Sequence, residues 1–226
     1  GSDFGLNIFN PATRSNIPYF HNPNVSYSLA NNVVWQIFED KGGVLWLVTS
    51  NGLSRYNRQG DFYQFYDISY EINDQIIGNQ VRSFLVGSDG TYWLATQNGV
   101  LNIDPTDDSK TIFRNDSKIN RRILSNNVYA LEEDDKGKIW IGSVAGINIW
   151  DSRRGEMNRV MAEEEKNGLN SSYIGKFSKE EDGALWVSAW EGGIFKIERS
   201  GSKVTQFKPI KGLESSSELH TYGNGY

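Results

Sequence analysis

Gly137-Lys138-Ile139-Trp140-Ile141 is one of four copies of a pattern; the others are Gly43-Val44-Leu45-Trp46-Leu47, Gly90-Thr91-Tyr92-Trp93-Leu94 and Gly183-Ala184-Leu185-Trp186-Val187. The tryptophans stand 47, 47 and 46 residues apart. A second ladder, Gly5, Gly52, Gly99, Gly146 and Gly193, steps by 47 throughout. The residue missing from the last tryptophan step is therefore restored between Trp186 and Gly193, which locates a lengthened turn there. Two ladders in register define a repeat of about 47 residues, the size of a four-stranded propeller blade.

Working outward from the tryptophan, each unit reads as four short strands. The first begins at Val34, Val81, Val128 or Ile174 and runs into an acidic or glycine-bearing turn: Asp40-Lys41-Gly42-Gly43, Ser88-Asp89-Gly90, Asp135-Lys136-Gly137 or Glu181-Asp182-Gly183. Such turns supply the positive-φ positions of a hairpin. The second strand carries the tryptophan and ends in the small pairs Val48-Thr49, Ala95-Thr96, Gly142-Ser143 and Ser188-Ala189, where a neighbouring backbone can approach closely. The ladder glycine turns the chain into a third strand. There Leu6, Leu53, Val100, Ile147 and Ile194 alternate with Phe9, Tyr56, Ile103, Trp150 and Ile197 three residues on, so both faces are expected to be buried. A looser fourth strand suits an outer edge. Only Arg159 to Lys166 reads as helical, and no window holds the sustained apolar stripe of an α-solenoid.

Composition narrows the function classes. The chain has 226 residues, 23 basic and 28 acidic, a net charge of −5 and no cysteine. Disulfides, thiolate metal sites and a cysteine nucleophile are excluded, and the charges are read as spread along the chain without the basic face of a nucleic-acid binder. Mean hydropathy is −0.54, with no run of about 18 apolar residues to span a bilayer. The aromatic content of 13% and the 23 glycines favour short strands and tight turns.

From first-strand valine through acidic turn, Leu-Trp, small residue, Gly-Leu and aromatic, the string resembles the two-component regulator propeller repeat. Val128 to Asp151 and Val34 to Asn57 match best, and the linkers Leu29-Ala30-Asn31-Asn32 and Leu124-Ser125-Asn126-Asn127 resemble that family's lead into each blade. The resemblance implies an all-β β-propeller segment from the periplasmic sensor region of a Bacteroides-type hybrid two-component system, a histidine kinase elsewhere in the protein, and an oligosaccharide ligand controlling glycan-use genes. It also implies a full propeller of about seven blades. On this reading residues 1–2 are a tag remnant, 3–32 the third and fourth strands of a partial blade with its linker, and 33–79, 80–126, 127–172 and 173–212 four blades. Residues 213–226 begin a further blade. Either the chain is a piece of a larger propeller, or Gly5 to Phe20 closes a five-unit ring with the C-terminus. A piece with open strand edges should pair with the remaining blades of the same protein or form a homo-dimer or larger assembly.

A residue type filled in every blade is expected to be structural. Trp46, Trp93, Trp140, Trp186 and the five ladder glycines are accordingly assigned to the repeat core. Binding should sit where the repeat departs from its own pattern. The position after each first-strand aliphatic holds Trp35, Arg82, Tyr129 and Gly175, and the lengthened turn holds Trp190. Trp35, Arg82, Tyr129 and Trp190 are the candidate ligand-binding residues, by ring stacking and hydrogen bonding to hydroxyls. The acidic runs Glu132 to Asp135 and Glu180 to Asp182 are read as solvated hairpin tips that miss calcium-loop spacing. With only His21 and His220, both near the termini, no catalytic residue, metal site or cofactor is expected. Two rivals stand beside the sensor: a propeller enzyme, a carbohydrate lyase or hydrolase, requiring convergent acids or a placed base, and a structural interaction scaffold.

Overall fold

The computed structural model describes residues 4–25, 28–39, 43–57, 62–66, 70–72, 75–77, 80–200 and 203–210. The expectation for 213–226, with His220, lies outside them. Strand follows strand with the period of the repeat. β1 (Leu6–Asn10) and β2 (Ser15–Tyr19) form a two-stranded sheet. Four antiparallel four-stranded sheets follow. The first is β3 (Val34–Glu39), β4 (Val44–Thr49), β5 (Gly52–Asn57) and β6 (Phe62–Tyr66). Between it and the next blade lies a small hairpin, β7 (Tyr70–Ile72) with β8 (Gln75–Ile77), that the repeat did not announce. The second sheet is β9 (Val81–Val86), β10 (Tyr92–Thr96), β11 (Gly99–Asp104) and β12 (Ser109–Phe113). The third comprises β13 (Val128–Glu133), β14 (Ile139–Ser143), β15 (Gly146–Asp151) and β16 (Glu156–Val160). The last comprises β17 (Ile174–Lys179), β18 (Leu185–Ala189), β19 (Gly193–Ser200) and β20 (Lys203–Pro209). In each, strands pair in the order of the chain, the meander of a propeller blade.

The only helix among the described residues beyond a 3₁₀ turn is α1, Glu164–Asn167. The stretch read as helical therefore divides, with Arg159 and Val160 in β16. Pairing of Asn148 with Arg159 and Ile147 with Val160 outweighs local preference there.

The chain divides into two compact units, 1–84 and 85–226, with the boundary inside β9. In the first unit Leu6, Leu29, Val34, Leu47 and Tyr56 form a buried cluster, and Trp46 lies 5.3 Å from the ring of Phe84. On β1 the expectation of two buried faces fails: Leu6 is buried but Phe9 is 61% exposed, because only one face of this hairpin joins that cluster. In the second unit Trp93, Phe113, Ile141 and Trp150 are packed in one core and Trp140, Phe177, Phe195 and Phe207 in another. Blade follows blade through rings: Phe113 meets Trp93 at 5.3 Å and Trp150 at 5.1 Å, and Trp140 meets Phe177 at 6.0 Å. Trp46, Trp93 and Trp140 are buried, whereas Trp186 is only half-buried under Lys196.

The ladder glycines are needed twice over. Gly99 and Gly146 have φ of +119° and +120°, which side-chain-bearing residues rarely adopt. A Cβ on either would also stand 2.5 Å from a fourth-strand carbonyl, that of Phe113 or Val160. Around this turn a hydroxyl completes the lock: Thr49, Thr96 and Ser143 donate to the carbonyls of Gly52, Gly99 and Gly146 at 2.8, 2.9 and 3.1 Å. Smallness at this position is thus secondary to the hydroxyl. One residue earlier smallness does matter, since a Cβ on Gly142 would meet Ile174 of the next blade at 2.5 Å.

Candidate ligand-binding site

Three first strands carry the same irregularity. Register slips between Val34 and Gln36, between Val128 and Ala130, and between Ile174 and Lys176. The extra residue of each bulge is Trp35, Tyr129 or Gly175, the position singled out for its variability. A bulge leaves one residue outside the ladder and re-aims its side chain, so this position can change without disturbing strand pairing.

The turn between second and third strand is held beside the entry to the first. Ser50 N donates to the Val33 carbonyl at 3.1 Å, Val144 N to Asn127 at 3.2 Å, and Trp190 N to Tyr173 at 2.8 Å. In the last blade Ala189 replaces the locking hydroxyl. The turn instead closes by Gly192 N to the Ala189 carbonyl at 3.0 Å, with Glu191 at φ +56°. Asn170 braces it by donating to the Gly192 carbonyl at 3.3 Å. The added residue thus builds a different loop, and Trp190 stands on it.

These devices bring three rings together in the second unit. Tyr173 and Trp190 are stacked, with centroids 5.5 Å apart and planes 20° from parallel. Tyr129 lies 4.9 Å from Tyr173 at 48°. Trp190 is 38% exposed, and both tyrosines are half-buried. Tyr129 and Trp190 were expected; Tyr173, which joins them, was missed. It precedes the first-strand aliphatic by one residue, where the other blades carry Val33, Gln80 and Asn127, and comparing the column before the aliphatic as well as the one after it would have found it.

The other two candidates fall in the first unit. Trp35 is 53% exposed and its indole N–H donates to Ser50 Oγ at 2.9 Å, bridging the bulge to the turn. Arg82 is half-buried on β9. His21 is engaged locally, its Nδ1 2.5 Å from the Leu29 carbonyl oxygen. Among the described residues no group of three or more His, Asp or Glu side chains could hold a metal.

The opposite end of the same strands corrects one expectation. The run Glu132 to Asp135 is not a solvated tip: Glu133 and Asp134 are buried. Asp134 accepts from the backbone N–H of Lys136 and Lys138, both at 2.9 Å, from the Trp140 indole at 3.2 Å and from Arg199 at 2.9 Å. Glu133 accepts from the Ser88 amide at 2.7 Å and hydroxyl at 2.6 Å, and its own carbonyl accepts from Lys179 at 2.6 Å. Lys138 pairs with Asp151 at 2.9 Å. The hydrogen bond from Lys138, opposed by burial, holds the Asp151 carboxyl below the usual carboxylate range. Burial pushes Glu132 upward. Carboxylates buried with such complete partnering belong to the framework. The second acidic run, Glu180 to Asp182, is exposed as expected.

Five meandering sheets in repeat register, four of them complete and one represented by its third and fourth strands, define β-propeller blades. Residues 28–51 and 122–145 match the family model described as "Two component regulator propeller". No curated protein sequence matches the chain significantly. Among solved structures, it is similar to the extracellular domain of a B. thetaiotaomicron protein described as a hybrid two component system. The TM-score is 0.69 at 22% identity, covering 93% of this chain and 27% of that one. It is also similar to PorZ, a surface component of the type-IX secretion system of Porphyromonas gingivalis, with TM-score 0.62 and 18% identity over 90% of this chain and 31% of that one. A third likeness is to an auxiliary nutrient binding protein from Bacteroides thetaiotaomicron, with TM-score 0.60 and 9% identity over 80% and 42% of the two chains. The chain therefore spans well under two thirds of each, and at these identities the likeness is one of fold. No helix among the described residues is long and apolar enough to cross a membrane.

Proposed function

We propose that this chain is a ligand-sensing propeller segment from the extracytoplasmic, periplasmic part of a hybrid two-component sensor, and that its ligand is an oligosaccharide bound at Tyr129, Tyr173 and Trp190. One observation carries the reading: a stacked, part-exposed aromatic cluster assembled from a strand bulge and a rebuilt turn. Aromatic side chains present an apolar face beside a polar edge, which suits the mixed surface of a sugar ring. The matched repeat and the likeness to the extracellular domain of a protein described as a hybrid two component system support the sensor role. Signalling would need only different affinities for two arrangements of the blades, with no chemical step in this segment and the kinase elsewhere in the protein.

The test is a panel of neutral oligosaccharides titrated against the chain, read by tryptophan fluorescence and calorimetry. Saturable binding that Trp190→Ala abolishes and Trp35→Ala leaves intact supports the reading; binding untouched by Trp190→Ala overturns the site. A scaffold is the second reading, favoured by the likeness to PorZ. It would show as a silent panel together with a captured protein partner. Phe4, Phe9, Ile17 and Phe20 are all more than half exposed on and beside the first hairpin. They support association with further blades of the same protein or with a second copy, which light scattering measures directly.

A further inference from the structure

Charge is less evenly spread than the sequence suggested. From Lys110 to Arg122 the chain holds five cations (Lys110, Arg114, Lys118, Arg121 and Arg122) against Asp116, a net of +4 within a total of −5. The remaining residues therefore sum to −9. The cations gather where β12 leaves the second blade and passes into the 3₁₀ turn Ile119–Arg121.

This loop is a built structure. Arg114 N donates to Ser117 Oγ at 3.0 Å, and Ile123 N to the Arg114 carbonyl at 3.1 Å. Asn115 N donates to Asn126 Oδ1 at 2.8 Å. From the third blade Arg159 reaches across to donate to the carbonyls of Ile119 and Arg122 at 3.0 and 2.6 Å. Arg114 is engaged with Asp116 at 3.0 Å. Of the five cations, Arg114 is thus engaged with Asp116 and Lys110 with Asp108 at 3.4 Å, while the bonds from Arg159 hold the turn against the neighbouring blade.

Lys118 and Arg121 are placed differently. They line an open pocket of about 360 Å³ together with Ile112, Ser117 and Asn120. Lys118 precedes the turn and Arg121 ends it, with Arg121 N donating to the Lys118 carbonyl at 2.8 Å, and both line the same pocket, which sets an ammonium and a guanidinium beside one another. An ammonium is a point charge and a guanidinium a planar fork of donors; together they suit an anion with several oxygens. The Ser117 hydroxyl and Asn120 amide add neutral donors, and Ile112 supplies an apolar wall.

We propose that this pocket binds a tetrahedral oxyanion, the phosphate or sulfate group of a small soluble ester, with Lys118 and Arg121 as its charged contacts. The site is distinct from the aromatic cluster and does not depend on the sensor reading. Both cations are exposed, so water and salt weaken each contact. A group offering several oxygens to four donors is favoured over a carboxylate, and binding should fall as ionic strength rises.

The experiment is a titration of the chain at low ionic strength with inorganic phosphate, inorganic sulfate and acetate, followed through amide chemical shifts. Shifts at residues 117–121 should saturate with phosphate or sulfate and not with acetate. Lys118→Ala combined with Arg121→Ala should weaken this response by at least about ten-fold, while Lys176→Ala, an exposed cation elsewhere in the same unit, should leave it unchanged. A thermal melt of the double variant matching the parent shows that the fold is intact. Stronger binding of phosphate above its second ionisation points to a phosphate ester, and equal binding of sulfate to a sulfate ester; both support the proposal. The proposal is overturned by the absence of saturation, by acetate binding equally well, or by equal loss in Lys176→Ala.

Discussion

The third and fourth blades carry two clusters at opposite ends of the same strands. At the end where β13 and β17 begin, Tyr129, Tyr173 and Trp190 stack with part of their surface in solvent. At the end where those strands finish, Glu133, Asp134, Lys138, Asp151 and Arg199 are tied together with little exposure. Both clusters join one blade to the next. Only the second has every buried charge answered by a partner, and an ion network removed from water must be complete or it destabilises. A stacked ring pair carries no such requirement, and the aromatic end can therefore change its composition from blade to blade. Departure from the repeat marks the end where the proposed binding site lies, and completeness of partnering marks framework at the other.

The largest effect should come from Asp134→Ala, which leaves the Trp140 indole and two turn amides without their acceptor and takes the buried carboxylate from Arg199, whose guanidinium keeps only Asp135 at 3.1 Å and the Gly183 carbonyl at 3.2 Å. A loss of about 3–5 kcal/mol in urea unfolding is expected, on the scale of a broken buried pair; a loss below about 1 kcal/mol would remove the distinction between the ends. Lys138→Met should cost about 1.5–3 kcal/mol at neutral pH, because Asp151 loses its shortest partner and keeps only the Arg154 amide at 3.3 Å and guanidinium at 4.0 Å. Because Lys138 depresses the Asp151 carboxyl, that pairing stabilises the fold above the ordinary aspartate value of about 3.9 and is lost as pH falls through the lower folded value. The gap between parent and variant should therefore close in acid, as a pH series of melts would show.

At the aromatic end the costs should be smaller. Tyr173→Ala removes two ring contacts, with an expected loss of about 1–3 kcal/mol, and should abolish the saccharide response even where the fold survives. Trp190→Ala should cost no more than about 1.5 kcal/mol and still silence that response, so stability and binding separate most cleanly there. The smallest effect is expected at Glu132, whose carboxyl is raised by burial. The fold is favoured below its unfolded value, and that advantage is lost as pH rises through the raised folded value. Glu132→Gln should therefore be neutral or slightly stabilising at pH 7, and a clear destabilisation in melts would place Glu132 within the essential network through Lys179.

Much of this was legible in the residues and some was not. The bulge position was visible as a column in which Trp35, Arg82, Tyr129 and Gly175 refuse to agree, and the rebuilt turn as one extra residue before Gly193. Tyr173 escaped because its partnership with Trp190 runs through a backbone hydrogen bond between a linker and a distant turn. The acidic run Glu132 to Asp135 was misread because composition alone cannot separate it from Glu180 to Asp182. Ser88, Lys179 and Arg199, 45 to 65 residues away along the chain, are what bury it. The basic loop could have been seen as a charge run; its pocket could not, since Arg159 sets the loop against the next blade.

By itself the sequence determined the blade. Period, turn glycines and alternating apolar residues are local in origin, because strand pairing within a meander joins neighbours in the chain and a steric need for glycine is felt at one residue. Only the tertiary structure decided which blades' side chains meet: the ring stack, the completed ion network and the pocket beneath the 3₁₀ turn. The ring stack and the ion network join one repeat to another, and the pocket's loop is held by Arg159 of the next blade; the free energy of a ring or a charge depends on what surrounds it in space, which a repeating pattern does not encode.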